Sequence, residues 1–170
     1  MYVEDLKRGT NKDIGLKDIF EMGSNICHQK RRLPATEFYM KKKTVLIVED
    51  ELDMRIFIST LLETSGYRPV MTKDGNEGMR KARDVGPDLI ILDVMMPGEG
   101  GVQMYRQLKT DKNLCHIPVI MLSAVAKKTF SHYLNMINAR LKDPISDPEA
   151  YIEKPPEAED LLNMTATLIG

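Results

Sequence analysis

The stretch Asp88-Leu89-Ile90-Ile91-Leu92-Asp93 decides the fold. Its apolar run, Leu89 to Leu92, has no polar alternation, so it reads as a strand buried on both faces. Asp93 follows directly, which places a carboxylate at the carboxyl end of that strand. In open parallel sheets this is the edge where ligands bind. An earlier segment repeats the arrangement: Thr44-Val45-Leu46-Ile47-Val48 runs into Glu49-Asp50. Two buried strands therefore deliver three carboxylates to one sheet edge.

Working outward, strands and helices alternate from Thr44 to the end of the chain. Strand 44–48 precedes a helix over about 53–65, with Leu52, Ile56, Leu61 and Leu62 turned inward and Gly66 as its stop. Tyr67 to Met71 reads as the second strand. Gly75 to Val85 reads as a helix closed by Gly86-Pro87. After strand 88–92, the turn Pro97-Gly98-Glu99-Gly100-Gly101 leads into a short helix ending near Thr110. Pro118 to Leu122 is a fourth buried strand, ending at Ser123. A helix over about 126–142 carries Phe130, Leu134, Ile137 and Leu141 on one face. That stripe suits core packing or a partner face. Tyr151-Ile152-Glu153 is a short strand, and Glu157 to Ile169 a last amphipathic helix. Such alternation predicts an α/β fold: a five-stranded parallel sheet, doubly wound, with right-handed crossovers.

Composition bounds the function. The chain has 170 residues, 42% hydrophobic and 29% charged, which suits one globular domain. A net charge of −1 argues against direct nucleic-acid binding. No apolar stretch approaches the roughly 18 residues that span a bilayer, and no secretory core opens the chain, so membrane insertion is not expected and a cytoplasmic location is. Cys27 and Cys115 each precede a histidine, His28 and His116, but closely spaced zinc-ligand pairs are absent and coincidence is the simpler reading. Residues 1–43 form a polar, basic extension with one weakly amphipathic stretch, Ile14 to His28, interrupted by Gly23. Met40 would itself make a natural start. Residues 44–170 form the folded domain.

The predicted strand ends hold Glu49, Asp50, Asp93, Ser123 and Lys154. Three clustered carboxylates repel one another, by about 3 kcal/mol per pair at roughly 5 Å and an effective dielectric near 20. Such a cluster raises a pKa or holds a cation. An all-oxygen donor set favours magnesium, with manganese as the alternative. Lys154 adds a fixed positive charge and Ser123 a hydroxyl donor. Together they suit a phosphoryl group carried on a carboxylate. Plainer roles compete: acids and serine are also favoured as helix N-caps, Tyr151 as core packing.

Val48-Glu49-Asp50-Glu51, Leu92-Asp93-Val94-Met95-Met96-Pro97-Gly98, Met121-Leu122-Ser123-Ala124 and Tyr151-Ile152-Glu153-Lys154-Pro155 occur in this order, each at a predicted strand end. In this the chain resembles the response-regulator receiver domain family of two-component signalling, from about Lys43 to Ile169. The resemblance implies a flavodoxin-like (βα)5 fold and a phosphorylatable switch, with no enzymatic activity beyond its own phosphorylation and dephosphorylation. It implies Asp93 as phosphoacceptor and Asp50 and Asp93 as direct magnesium ligands. Glu49 would act through water, and the backbone carbonyl of Met95 would complete the protein ligands. Ser123 would bond the phosphoryl oxygen, Lys154 would pair with the phosphoryl group, Tyr151 would be the switching aromatic, and Lys154-Pro155 would be cis. Met95 and Val125 stand where the family tunes dephosphorylation; both are apolar and lack groups that orient water, so slow self-dephosphorylation is expected.

The implied partners are a sensor histidine kinase or phosphotransfer protein as donor and an output protein reached by contact. The segment between Ser123 and Tyr151 exceeds the family pattern by roughly two helical turns, which suggests an extended fourth helix on the face used for output or homodimerisation. With no further domain after Gly170, the sequence suggests a stand-alone receiver of the chemotaxis-regulator kind. A phosphorylation-independent docking module is the alternative. An aspartyl phosphatase ranks last, because Met95 stands where such enzymes carry a second acid.

Overall fold

The computed structural model describes residues 41–97, 100–140, 142 and 144–170. The amphipathic stretch Ile14–His28, the Cys27-His28 pair, the Gly98-Glu99 part of the turn and Leu141 lie outside them. Five parallel strands, β1 (Thr44–Val48), β2 (Arg68–Thr72), β3 (Leu89–Asp93), β4 (Val119–Ser123) and β5 (Ala150–Glu153), form one sheet in the order β2-β1-β3-β4-β5. Between and after them run α1 (Leu52–Thr64), α2 (Gly75–Val85), α3 (Gly101–Thr110), α4 (Lys127–Asn138) and α5 (Ala158–Ile169). This is the doubly wound sheet that the alternation predicts, in the flavodoxin-like form that the resemblance implies.

Period-two alternation divides the core in two. Leu46, Val48, Ile90, Leu92, Val119 and Met121 face α2, α3 and α4 through Met79, Met104, Leu108, Phe130 and Leu134. Val45, Ile47, Leu89, Ile91, Ile120 and Leu122 face α1 and α5 through Ile58, Leu62, Leu161 and Ile169. With β1, β3 and β4 covered on both sides, their sequences are continuous apolar runs. The ladder aligns Val48 with Leu92 and Asp93 with Leu122, so the carboxyl ends of β1, β3 and β4 lie level.

Local chemistry sets the element ends. Asp74 caps α2 by accepting from the Glu77 N–H at 2.8 Å. Gly86 closes the same helix in the left-handed region, at φ 56°. Asp88 precedes β3 rather than opening it, and its carboxylate accepts from the Thr44 N–H at 2.7 Å.

Two expectations need correction. Leu52 and Ile56 do not turn inward; they are 58% and 50% exposed. α1 carries two apolar stripes at helical spacing, and the one at Met54, Ile58, Leu61 and Leu62 faces the sheet. Periodicity cannot choose between two such stripes. The fourth helix is also not extended, since α4 ends at Asn138. The Asn138 side chain bonds both backbone groups of Ile145 at 2.8 Å, donating to its carbonyl and accepting from its N–H. An asparagine side chain competes in this way with the helical ladder. Beyond α4 the chain is fastened to the core through buried Ile145 and through the Tyr105 hydroxyl, which donates to the Ser146 carbonyl at 2.8 Å.

Candidate functional site

β1 ends at Val48 and hands Glu49 and Asp50 to the sheet edge; β3 ends on Asp93 itself. One carboxylate oxygen from each of Glu49, Asp50 and Asp93 lies within 4.8 Å of the others. Glu49 and Asp93 are buried, while Asp50 is exposed. The site is thus a closed floor with an open mouth.

Lys154 reaches the floor from the end of β5. The Lys154 N–H donates to the Ser123 carbonyl at 2.8 Å, which continues the β4–β5 ladder and aims the side chain across the edge. Its ammonium lies 2.9 Å from Asp93 Oδ2 and donates to Glu49 Oε1 at 2.9 Å. Glu49 Oε2 is 2.8 Å from the same nitrogen but outside hydrogen-bond geometry, and among the described residues no donor satisfies it. Asp93 Oδ1 accepts from the Met95 N–H at 2.9 Å. The Lys154-Pro155 peptide bond is cis.

Burial pushes the Glu49 carboxyl above its ordinary value despite the Lys154 hydrogen bond that opposes the shift. Burial pulls the Lys154 ammonium down, but the bonds to Glu49 and Asp93 and their charges outweigh it and hold its pKa above the ordinary lysine value. The lysine is therefore a permanent cation at neutral pH. Glu49 is a strained anion that gains from more positive charge.

This donor set fits a magnesium ion. It is all oxygen, it carries more negative than positive charge, and it holds a buried carboxylate oxygen without a donor.

Ser123 closes β4 with no exposure. Its Oγ accepts from the Val125 N–H at 3.0 Å, and its hydroxyl also acts on the Tyr151 oxygen, opposing the rise in that phenol's pKa. Tyr151 is half-buried in β5. Its ring packs on Phe130, with centroids 5.3 Å apart, and its hydroxyl donates to the Val125 carbonyl. Burial raises its pKa. Tyr151 therefore touches the same short loop as Ser123. Met95 is 61% exposed, and Val125 is half-buried.

Two residues that the sequence reading passed over shape this edge. An ideal Cβ on Gly101 would lie 1.7 Å from the Asp93 carbonyl oxygen, so only glycine lets α3 start this close to the Asp93 backbone. The run Gly100-Gly101 at a helix start was the available signal. Arg55 donates to the Glu49 carbonyl and, at 3.2 Å, to the Asp50 carbonyl. A cation in a helix's first turn runs against the macrodipole, which could have marked it.

Residues 45–166 match the model of the response regulator receiver domain, and the chain belongs to that family. It is 40% identical over 109 residues to the polar-differentiation response regulator DivK of Brucella ovis, covering 62% of this chain and 88% of that protein. It is 32% identical over 164 residues to hybrid signal transduction histidine kinase D of Dictyostelium discoideum, covering 96% of this chain and 10% of that protein. The chain therefore spans only a tenth of the hybrid kinase's length. Among solved structures, chemotaxis protein CheY4 of Vibrio cholerae superposes with a TM-score of 0.65 at 24% identity, over 75% of this chain and 98% of that one. The signal receiver domain of a signal transduction histidine kinase from Syntrophus aciditrophicus gives 0.64 at 29% identity, over 75% and 89%. Among the described residues, no helix is long and apolar enough to cross a membrane.

Proposed function

We propose that this chain is a cytoplasmic receiver that takes a phosphoryl group on Asp93 from a sensor histidine kinase or phosphotransfer protein and passes the signal by protein contact. The observation that carries this reading is the buried Asp93 carboxylate, set within 4.8 Å of Glu49 and Asp50 and held by Lys154 at 2.9 Å. Membership of the receiver family supports it.

In this reading an Asp93 carboxylate oxygen attacks the donor's phosphorus in line, the donor's bond to phosphorus breaks, and the leaving group departs with that electron pair. Asp50 and Asp93 would hold magnesium directly, with Glu49 acting through water and the Met95 carbonyl as a further ligand. The ion would neutralise charge on the phosphoryl oxygens. Lys154 stays on the acceptor and shares the added negative charge. The Ser123 O–H turns toward a phosphoryl oxygen. That movement pulls on the loop through the bond Ser123 accepts from Val125, the same loop that Tyr151 holds. The signal then reaches the β5 and α4 surface as a shift between two arrangements of that loop.

The test is intact-mass measurement after incubation with acetyl phosphate, with and without magnesium, beside Asp93→Asn. Addition of one phosphoryl group that needs both magnesium and Asp93 is expected. Addition that survives Asp93→Asn would place the acceptor elsewhere.

A further inference from the structure

Asp50 differs from its two partners in how it is held. Glu49 and Asp93 are buried and pinned by Lys154. Asp50 is exposed, and among the described residues its carboxylate takes part in no hydrogen bond or ion pair. Only its backbone can fix where it points. That backbone belongs to the turn between β1 and α1, and the Arg55 Nη1 donates to both successive carbonyls of the turn, Glu49 and Asp50. The tie is reinforced by the Arg55 N–H, which donates to the Glu51 carbonyl at 3.0 Å. Arg55 has no ion-pair partner among the described residues, so its guanidinium is committed to this turn.

From this we infer that Arg55 is the positioning residue for the cation site, holding Asp50 at the mouth so that a divalent ion finds a formed ligand. The inference rests on the reading of Glu49, Asp50 and Asp93 as that site. Among the described residues Arg55 bonds none of the three carboxylates; it acts through the two carbonyls. A planar fork suits this task because its N–H groups are fixed relative to one another.

The sign of the effect separates this role from two simpler ones. Were Arg55 only a nearby positive charge, its removal would relieve repulsion and tighten magnesium binding. Were it only a structural tie, its removal would lower stability and leave the affinity of the folded protein unchanged. Loss of a positioning contact weakens binding, by about tenfold or more for contacts that orient a ligand.

The experiment is calorimetric titration of magnesium chloride into the full chain, with no phosphodonor present, for the wild type and for Asp50→Asn, Arg55→Leu and Arg55→Lys. The wild type binds and Asp50→Asn binds more weakly; failure of either overturns the site itself, and the inference with it. Given that result, Arg55→Leu raises Kd by about tenfold, and Arg55→Lys, which keeps the charge and a donor, falls between. An Arg55→Leu Kd equal to or below that of the wild type overturns the inference and leaves the site reading intact. If Arg55→Leu does not fold, Arg55→Lys decides: weaker binding at unchanged charge supports positioning, and wild-type affinity overturns it.

Discussion

Replacing Lys154 by methionine removes one cation from between two buried anions and nearly preserves volume. The ammonium lies 2.8 Å from Glu49 and 2.9 Å from Asp93. At an effective dielectric near 20, each contact contributes about 6 kcal/mol of Coulomb attraction, against about 3 kcal/mol of repulsion between the two carboxylates. Desolvation of all three groups offsets most of this, and deleting one partner of a buried pair costs about 3–5 kcal/mol. The lower figure is expected, because burial already raises the Glu49 pKa, so that without the lysine it can take a proton instead of remaining a bare anion. Urea unfolding at neutral pH in chelator should therefore show a loss of about 3 kcal/mol. Adding Glu49→Gln should recover most of it. The pH dependence has a definite sign. Lys154 opposes the rise of the Glu49 pKa, so the variant's carboxyl lies higher still and binds its proton more readily in the folded state, and the deficit of Lys154→Met shrinks as pH falls toward 4.5. Magnesium should stabilise the variant more than the wild type, since it meets the same two anions without a competing ammonium. A loss below about 1 kcal/mol, the range of exposed pairs, would refute the reasoning, as would failure of Glu49→Gln to restore stability.

Further outcomes follow from other contacts. Gly101→Ala forces a methyl against the Asp93 carbonyl and should cost about 1–3 kcal/mol in urea unfolding while slowing phosphorylation by acetyl phosphate. Wild-type rates would show that the Asp93 backbone is free to move. Burial raises the Tyr105 hydroxyl above its ordinary value of 10, so the folded state keeps that proton longer than the unfolded chain does. Relative to Tyr105→Phe, the wild type should lose stability as pH rises above 10, read from thermal melting across that range. A difference independent of pH would mean that the hydroxyl is not sequestered. The Met95→Asn, Val125→Glu double variant introduces groups that can orient water and should shed phosphate faster than the parent, followed by mass after donor removal. An equal or slower rate would refute the claim that these apolar residues prolong the modified state.

Legibility in the sequence followed how strongly each feature is determined by pattern. Strands β1, β3 and β4 were legible because burial on both faces leaves a continuous apolar run that no surface helix shows. Their carboxyl ends were legible because a charged or hydroxyl residue abruptly replaces that run. α2 was legible from both ends, through Gly75 and the Gly86-Pro87 stop. The inward face of α1 was not, since Leu52-Ile56 and Met54-Ile58 have the same four-residue spacing and only the sheet's position selects one. The end of α4 was hidden for a different reason. Asn138 is tolerable within a helix, and its role as a clamp appears only when Ile145, seven residues on, folds back against it.

The same distinction explains why the chemistry of the site was more legible than its support. Carboxylates and a lysine at strand ends announce themselves, because parallel strands must place them on one edge. Arg55 and Gly101 act on the backbone of those residues, and neither the identity nor the spacing of a side chain encodes which carbonyl it will meet. Yet the three anions are held to different degrees. Glu49 and Asp93 are fixed by burial and one shared ammonium, and Asp50 by the turn alone. A site built this way has a rigid floor and a mouth held by backbone contacts, the Arg55 guanidinium on the Glu49 and Asp50 carbonyls and the Glu51 N–H on the Glu49 carboxylate at 3.3 Å. Its cation affinity should therefore respond to changes in α1 that leave Asp93 and Lys154 untouched.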